Sequence, residues 1–249
     1  MKTAPLILIA AAAAAACYPN KPHTSAEVLL NERMAAVLLH DGRAADAEAA
    51  YREVIPSDPH NPEVRDGLGV ALMMQGKNGE AIGEFDRAIK YGPEKALYRI
   101  HRGMARTRVG RFDKAHEDFQ VAEKIGGPED RLDVFIHRGE LRGRQGDFAG
   151  AEIEFTNALA FDPKSFPALL GRGVAREARS NFSGAAEDYL ECVRLEPKNP
   201  EANLRLGLAL VTLNRYSLGR KYLERTIELD PNGDAAAKAR LLLETTPSS

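Results

Sequence analysis

Arginines recur in pairs four residues apart in the middle of the chain, and each pair is followed by a carboxylate 16 residues after its first arginine. Residues four apart share one face of a helix, and guanidinium and carboxylate groups form salt bridges. We therefore predict ion pairs between two helices, with an exposed anion-binding ladder as the alternative. The predicted structural pairs are Arg102–Asp118, Arg138–Glu154 and Arg172–Asp188, and the second arginines are Arg106, Arg142 and Arg176.

Histidine and cysteine offer little further chemistry. His101 and His137 each stand in an Ile-His-Arg-Gly sequence, but no further metal ligands accompany them. A zinc site needs about four ligands, so we interpret both histidines as polar residues of a binding surface and Cys192 as a small buried residue. The sequence also lacks a Gly-Lys-Ser/Thr phosphate loop. These patterns predict a protein that is not an enzyme and has no metal, no cofactor and no small-molecule substrate.

Composition narrows the class of partner. The 249 residues are 44% hydrophobic and 28% charged, with a formal net charge of −2. Binding to nucleic acid depends on a basic surface, so we expect no nucleic-acid partner. The proportions are typical of a folded chain, and two cysteines are too few for a disulfide framework.

The first 17 residues have the pattern of a targeting segment. Lys2 precedes an uncharged run from 6 to 16, which is too short to span a bilayer, since spanning takes about 20 apolar residues. The run ends at Cys17 and resembles the lipobox of bacterial lipoproteins, although Ala14 stands where that family usually has Leu. The resemblance implies a signal peptide over 1–16, acyl chains on Cys17 and a tether over 17–27. Because Tyr18 rather than Asp follows the cysteine, it also implies the outer membrane of a Gram-negative bacterium, facing the periplasm. The alternative is an ordinary secretory signal with an incidental thiol.

Small residues repeat with a period of 34 along the rest of the chain. In a frame that begins at residue 132, Gly139 takes position 8, Gly146 position 15, Ala151 position 20, Phe155 position 24 and Pro163 position 32. Similar types recur at these positions in the other five copies, with exceptions such as Ala35 at position 8, Ser180 and Asn214 at position 15, and Gly127 at position 32. Glycine and alanine allow two helices to approach closely, glycine at position 15 suits a left-handed helix end, and proline at position 32 stops the next helix.

Period and pattern together resemble the tetratricopeptide repeat, a helix–turn–helix unit. The resemblance implies an all-α right-handed superhelical solenoid over 28–249, whose concave face binds protein partners. Pro56 predicts an early end for the second helix of the first repeat. Residues 130–131 are interpreted as a loop insertion, with a hinge as the alternative. The six repeats span 28–61, 62–95, 96–129, 132–165, 166–199 and 200–233, and a capping helix spans 234–245.

The concave face is expected at positions 2, 5, 9, 12 and 13 of each first helix. These positions are mostly apolar, with charges at intervals such as Arg108, Glu140 and Arg144. Such a surface suits a helix or strand of a partner. The alternative is that some of these side chains pack between neighbouring helices. The predicted partner-binding groove consists of Val70, Met73, Met74, Ile100, Met104, Ile136, Leu170, Val174, Leu204 and Leu208.

The lipoprotein signal, the length and the six repeats together resemble the pilotin lipoproteins of type IV pilus systems, of the Tgl, PilF and PilW type. The resemblance implies a non-enzymatic assembly factor for the outer-membrane secretin, needed for pilus assembly and motility, with a secretin subunit or another pilus-machine protein as partner. A lipoprotein of a tight-adherence pilus system and a periplasmic scaffold for peptidoglycan enzymes remain alternatives.

Overall fold

The computed structural model describes residues 25–247, with side chains from residue 28 onward. The signal peptide predicted over 1–16, Cys17 and most of the predicted tether lie outside these residues. Within them the chain forms thirteen α-helices and no strand, and no helix is long and apolar enough to cross a membrane. The helices belong to two compact units, divided between Gly92 and Pro93.

The first unit contains two helix pairs, and each of its helices packs on the next. The second helix stops at Val54, as Pro56 predicted. Residues 25–27, predicted as tether, already belong to the first helix. Asn61 caps the third helix by accepting hydrogen bonds from the backbone N–H groups of Glu63 and Val64. The four helices are α1 Ser25–His40, α2 Ala44–Val54, α3 Pro62–Met74 and α4 Asn78–Tyr91.

The second unit contains four helix pairs and a terminal helix. The terminal helix has the predicted bounds and packs on the last pair, where Ala239 joins Leu204 and Leu223 in one apolar cluster. It therefore covers a face that would otherwise be exposed. The nine helices are α5 Ala96–Arg108, α6 Phe112–Ile125, α7 Pro128–Arg144, α8 Phe148–Phe161, α9 Phe166–Ala178, α10 Phe182–Leu195, α11 Pro200–Thr212, α12 Tyr216–Leu229 and α13 Asp234–Thr245.

Three residues connect the two helices of every pair, and position 15 of the frame closes each first helix. This residue has a positive φ in all six repeats, which confirms the left-handed ends predicted from the glycines. Four of the positions hold glycine, while Ser180 and Asn214 adopt φ of 61° and 60° without it. These short connections make neighbouring helices antiparallel.

Position 8 lies directly beneath position 24 of the same repeat. A Cβ added at Gly139 would come within 2.8 Å of the Phe155 ring, and Gly103 stands in the same relation to Phe119. The missing side chains therefore let the two helices of a pair approach, as predicted. Phe155 of α8 also lies against Gly171 in the next repeat, so its ring contacts both α7 and α9.

Residues 130–131 do not form a loop, so the predicted loop insertion is wrong. They belong to α7, which has 17 residues where the other first helices of this unit have 13. Pro128 suits the first position of a helix, and the Asp130 carboxylate accepts a 2.9 Å hydrogen bond from the Gly127 backbone N–H. The additional residues thus lengthen the start of a helix that these caps stabilise.

Candidate partner-binding groove

A cavity of about 590 Å³ lies within the second unit, along the first helices of three consecutive repeats. Met104 and Arg108 reach it from α5, and Glu140 and Arg144 from α7. We call this cavity and its lining the unit-2 groove. The remaining lining residues are Thr107, His137, Gly139, Gly143, Phe148, Ala151, Phe155, Pro167, Leu170, Gly171, Val174 and Ala175.

The floor of the unit-2 groove is apolar, and its depth comes from glycine. At Gly139 and Gly171 the Phe155 ring occupies the space that a side chain would need. Gly143 differs from both, because a Cβ there would meet no atom within 4 Å and would point into open space. Leu170 and Val174 are half-buried beside it. This floor offers apolar area to a partner without any rearrangement of the helices.

The rim of the groove is charged. His137 Nδ1 lies 3.0 Å from Oε2 of Glu140, at hydrogen-bonding distance. Burial alone would raise the pKa of Glu140, but the hydrogen bond with His137 and the positive charges of Arg108 and Arg144 leave it lowered overall. Glu140 is therefore ionised at neutral pH.

The accessibility of the predicted groove residues depends on their position in the repeat frame. Those at position 9 of the frame are half-buried and accessible, and Glu140 occupies this position in the fourth repeat. Met74, at position 13, is 49% exposed. Leu170 at position 5 is half-buried. The accessible residues at position 9 are Val70, Met104, Val174 and Leu208.

Four predicted groove residues are buried and correct the prediction: Met73, Ile100, Ile136 and Leu204. Ile100 belongs to the same apolar cluster as Val134 of the following repeat, and Ile136 to that of Leu169. Position 5 therefore packs between successive repeats in these copies, since stacking is what buries the apolar face of a repeat. These side chains stabilise the fold and are not available to a partner.

Two of the three predicted ion pairs have close, two-point geometry. Nη2 of Arg102 lies 2.5 Å from Oδ1 of Asp118, and Nη2 of Arg172 lies 2.6 Å from Oδ1 of Asp188. Both aspartates are buried. The second arginine adds a further contact in each case, with Arg106 2.7 Å and Arg176 3.0 Å from the aspartate. These arginines are occupied by structural contacts and do not form an exposed anion-binding ladder.

The third pair, Arg138–Glu154, is loose, and the prediction needs correction. Nη1 of Arg138 lies 3.7 Å from Glu154, and Nε of Arg138 and Oε2 of Glu154 lack hydrogen-bond partners. Arg138 instead forms a salt bridge with Glu123 of the preceding repeat. Glu154 lies 3.2 Å from Nε of Arg142. Position 28 holds an acid only in the third repeat, so Glu123 competes with Glu154 for Arg138.

Polar contacts between repeats were missed by the sequence analysis, since the frame shows only positions within one repeat. Glu152 of α8 lies 2.9 Å from Nε of Arg176 in α9. Within the fifth repeat, the Tyr189 hydroxyl donates a 2.6 Å hydrogen bond to Glu177, and burial together with this contact raises the pKa of Tyr189. The Glu152–Arg176 salt bridge joins the fourth and fifth repeats, both of which line the groove.

Metal-binding clusters are absent among residues 28–247, where no group of three or more His, Cys, Asp and Glu side chains converges. Cys192 is buried, and burial raises the pKa of its thiol to about 12. A thiol in this state is a poor nucleophile at neutral pH, as expected for a small packing residue.

Family models agree with this architecture. A model described as tetratricopeptide repeat matches residues 38–105, and a second model of the same description matches residues 138–200 and 176–234. Together they cover more than half of the chain.

Solved structures with the same fold include the proteins PilF and PilW. PilF of Pseudomonas aeruginosa is 15% identical, with a TM-score of 0.70 over 86% of this chain and 97% of that protein. PilW, described as a widely conserved type IV pilus biogenesis factor, is 16% identical, with a TM-score of 0.75 over 87% of this chain and 99% of PilW. At such identities the likeness establishes the fold alone.

A curated relative is much longer. The probable UDP-N-acetylglucosamine–peptide N-acetylglucosaminyltransferase SPINDLY of Arabidopsis thaliana is 33% identical over 86 residues, which are 34% of this chain and 9% of the plant protein. The chain thus matches about a tenth of the length of that relative, and this short match carries no argument about activity.

Proposed function

Because the chain belongs to the tetratricopeptide-repeat family, we propose that it acts without catalysis, by binding another protein, as a pilotin-type assembly factor for the outer-membrane secretin of a type IV pilus machine. The observation that carries this proposal is the unit-2 groove, whose apolar floor is lined by α8 and by the first helices of three repeats. The fold shared with PilF and PilW supports the choice of a pilus-machine partner.

In this proposal the signal peptide is removed and acyl chains on Cys17 hold the protein at the periplasmic face of the outer membrane. Each buried acyl CH₂ contributes about 0.8 kcal/mol, and one chain gives only marginal attachment. Several chains on one cysteine therefore make attachment lasting. Confinement to the membrane surface raises the local concentration of the groove near a membrane-bound secretin subunit.

The groove holds an exposed apolar segment of a secretin protomer until neighbouring protomers cover it. Apolar segments that are exposed during assembly are prone to aggregation, and a preformed groove shields them without ordering a loop first. Release requires only that protomer–protomer contacts bury more apolar area than the groove does.

The sharpest test fills the groove without disturbing the helices. Gly143→Leu places an apolar side chain in the open space above the floor, in a helical position where leucine is favoured over glycine. The matched control is Gly83→Leu, a mid-helix glycine of α4 whose added Cβ also meets nothing within 4 Å. We expect Gly143→Leu to reduce secretin multimers, displayed pili and motility, and Gly83→Leu to leave them unchanged.

Three results would contradict the proposal: normal multimers in a stably expressed Gly143→Leu strain, equal losses in both variants, or capture of cell-wall hydrolases instead of secretin. Anchoring is tested separately by Cys17→Ala, which should move the protein from the membrane to the soluble periplasmic fraction. Retention of that variant in the outer membrane would argue against lipid attachment.

A further inference from the structure

We propose that the segment bound by the unit-2 groove is an acidic polypeptide segment, with an apolar side chain on the floor and a carboxylate against Arg144. This inference deepens the proposed function and rests on it. It concerns the chemistry of the partner segment, which the fold alone leaves open.

The charges that face the groove favour a negative partner. Among its lining residues, α5 contributes Arg108, and α7 contributes His137, Glu140 and Arg144. The residues from α8 and α9 that line it carry no charge. The lining therefore contains two guanidinium groups and one carboxylate, although the chain as a whole has a formal net charge of −2. The rim is a local excess of positive charge, which attracts an acidic partner.

The single rim carboxylate is already engaged. Glu140 lies within hydrogen-bonding distance of His137, and the positive charges of Arg108 and Arg144 stabilise its ionised form. A basic partner would have to compete with these interactions and bring its cation close to Arg108 and Arg144. Because like charges repel each other, the rim also disfavours the binding of basic segments.

Arg144 is the arginine best placed to bind. It is exposed and forms no salt bridge with another side chain in the described part of the chain. Arg142, two residues earlier, is held by Asp147 at 2.8 Å and by Glu154 at 3.2 Å. Guanidinium groups bind carboxylates through two parallel hydrogen bonds, which gives Arg144 a directional preference for Asp, Glu or a chain terminus.

Arg144 and the floor belong to one continuous surface. Gly143 is its neighbour in sequence, and Leu170 and Val174 line the same cavity from α9. A segment that places an apolar side chain above Gly143 therefore brings its adjacent residues to the rim. The carboxylate gives orientation, while the floor supplies apolar burial.

The experiment uses synthetic peptides of one sequence pattern. Three helices at about 10 Å spacing span about 20 Å, and an extended chain covers about 3.3 Å per residue, so peptides of about eight residues suffice. The peptides carry the same leucines and differ only in having Asp, Asn or Lys beside them. Fluorescence anisotropy with the full chain measures their affinities at low and physiological salt.

We expect the Asp peptide to bind about tenfold more tightly than the Lys peptide at low salt, with a smaller ratio at higher salt. Arg144→Glu should reverse the preference, and Arg194→Glu, an exposed arginine of α10 outside the groove, should leave it unchanged. Gly143→Leu should weaken all three peptides.

Equal affinities for the Asp and Lys peptides, the absence of binding by every peptide, or persistence of the preference in Arg144→Glu would overturn the inference. So would Arg144-dependent binding to anionic phospholipid vesicles without peptide binding, since the rim would then recognise a membrane. None of these results changes the outcome of the multimer assay with Gly143→Leu, which tests the proposed function by itself.

Discussion

Arg172 and Asp188 form a two-point salt bridge between α9 and α10. Nη2 of Arg172 lies 2.6 Å from Oδ1, and Nε lies 3.1 Å from Oδ2. Arg176 donates a third bond to Oδ2 at 3.0 Å. Asp188 is 3% exposed, so one buried carboxylate accepts hydrogen bonds from two arginines and links the two helices of the fifth repeat.

Replacing Asp188 by Ala should lower the free energy of unfolding by about 3 kcal/mol. Breaking a buried ion pair typically costs about 3–5 kcal/mol, and we expect the smaller value because both arginines remain partly hydrated. Urea denaturation of the full chain measures the change. Glu191→Ala on the same helix removes the half-buried partner of the exposed Arg194 and is the control, with an expected change below about 1 kcal/mol. Similar decreases in the free energy of unfolding of the two variants would show that the burial of Asp188 does not increase its contribution to stability.

The fourth repeat should show a different pattern of coupling. Double-mutant cycles should give coupling of about 0.5–3 kcal/mol for Arg138 with Glu123 and for Arg142 with Glu154. Coupling between Arg138 and Glu154 should be weaker than between Arg172 and Asp188, because its closest approach is 3.7 Å against 2.6 Å. Strong coupling of Arg138 to Glu154 alone would contradict the geometry.

Ser180 closes α9 in a left-handed conformation, with φ of 61°. Ser180→Gly should stabilise the protein by about 0.5–1 kcal/mol, because a left-handed penalty of about 1–2 kcal/mol is relieved and partly offset by the entropy of glycine in the unfolded chain. Gly146→Ser at the equivalent end of α7 should have the opposite sign. Thermal unfolding measures both, and destabilisation by Ser180→Gly would mean that the serine side chain has an additional role.

Glu48 should make the first unit sensitive to acid. Lys77 and Gln75 each donate a 2.8 Å hydrogen bond to its carboxylate. The hydrogen bond from Lys77, with those from Gln75 and Arg52, lowers the pKa of Glu48 from 4.5 to about 2. Because the folded pKa is the lower one, this stabilisation is complete above the unfolded value and disappears as pH falls toward 2.

Glu48→Gln should therefore lower the free energy of unfolding by about 1–2 kcal/mol at neutral pH, after allowance for solvent screening. The difference from the native chain should shrink as pH falls from 4.5 to about 2. Chemical denaturation across this range measures it. A difference that stays constant with pH would mean that the charge of Glu48 contributes nothing.

The repeat frame predicted the helices well because their ends depend on local chemistry. Glycine at position 15 and proline at position 32 act through the backbone of their own segment. Pro56 and the terminal helix Asp234–Thr245 were predictable for the same reason. Residues 130–131 were harder, since the cap that Asp130 provides for Gly127 turns an apparent loop into helix.

The groove was only partly predictable, because burial at position 5 depends on the neighbouring repeat. Ile100 and Ile136 are covered by residues of the next first helix, whereas Leu170 remains accessible. Gly143 could not be recognised as the open point of the floor, since one sequence does not reveal which glycines face a neighbour. The exposure of Arg144, against the engagement of Arg142, is likewise a property of three-dimensional spacing.

The ring of Phe155 rests against a glycine of its own repeat and a glycine of the next. A mutation that enlarges or shrinks this ring must therefore be accommodated by both repeats at once. The fourth and fifth repeats should therefore be moved into another protein together. A chimera in which a foreign repeat follows the fourth repeat needs a glycine at the position of Gly171.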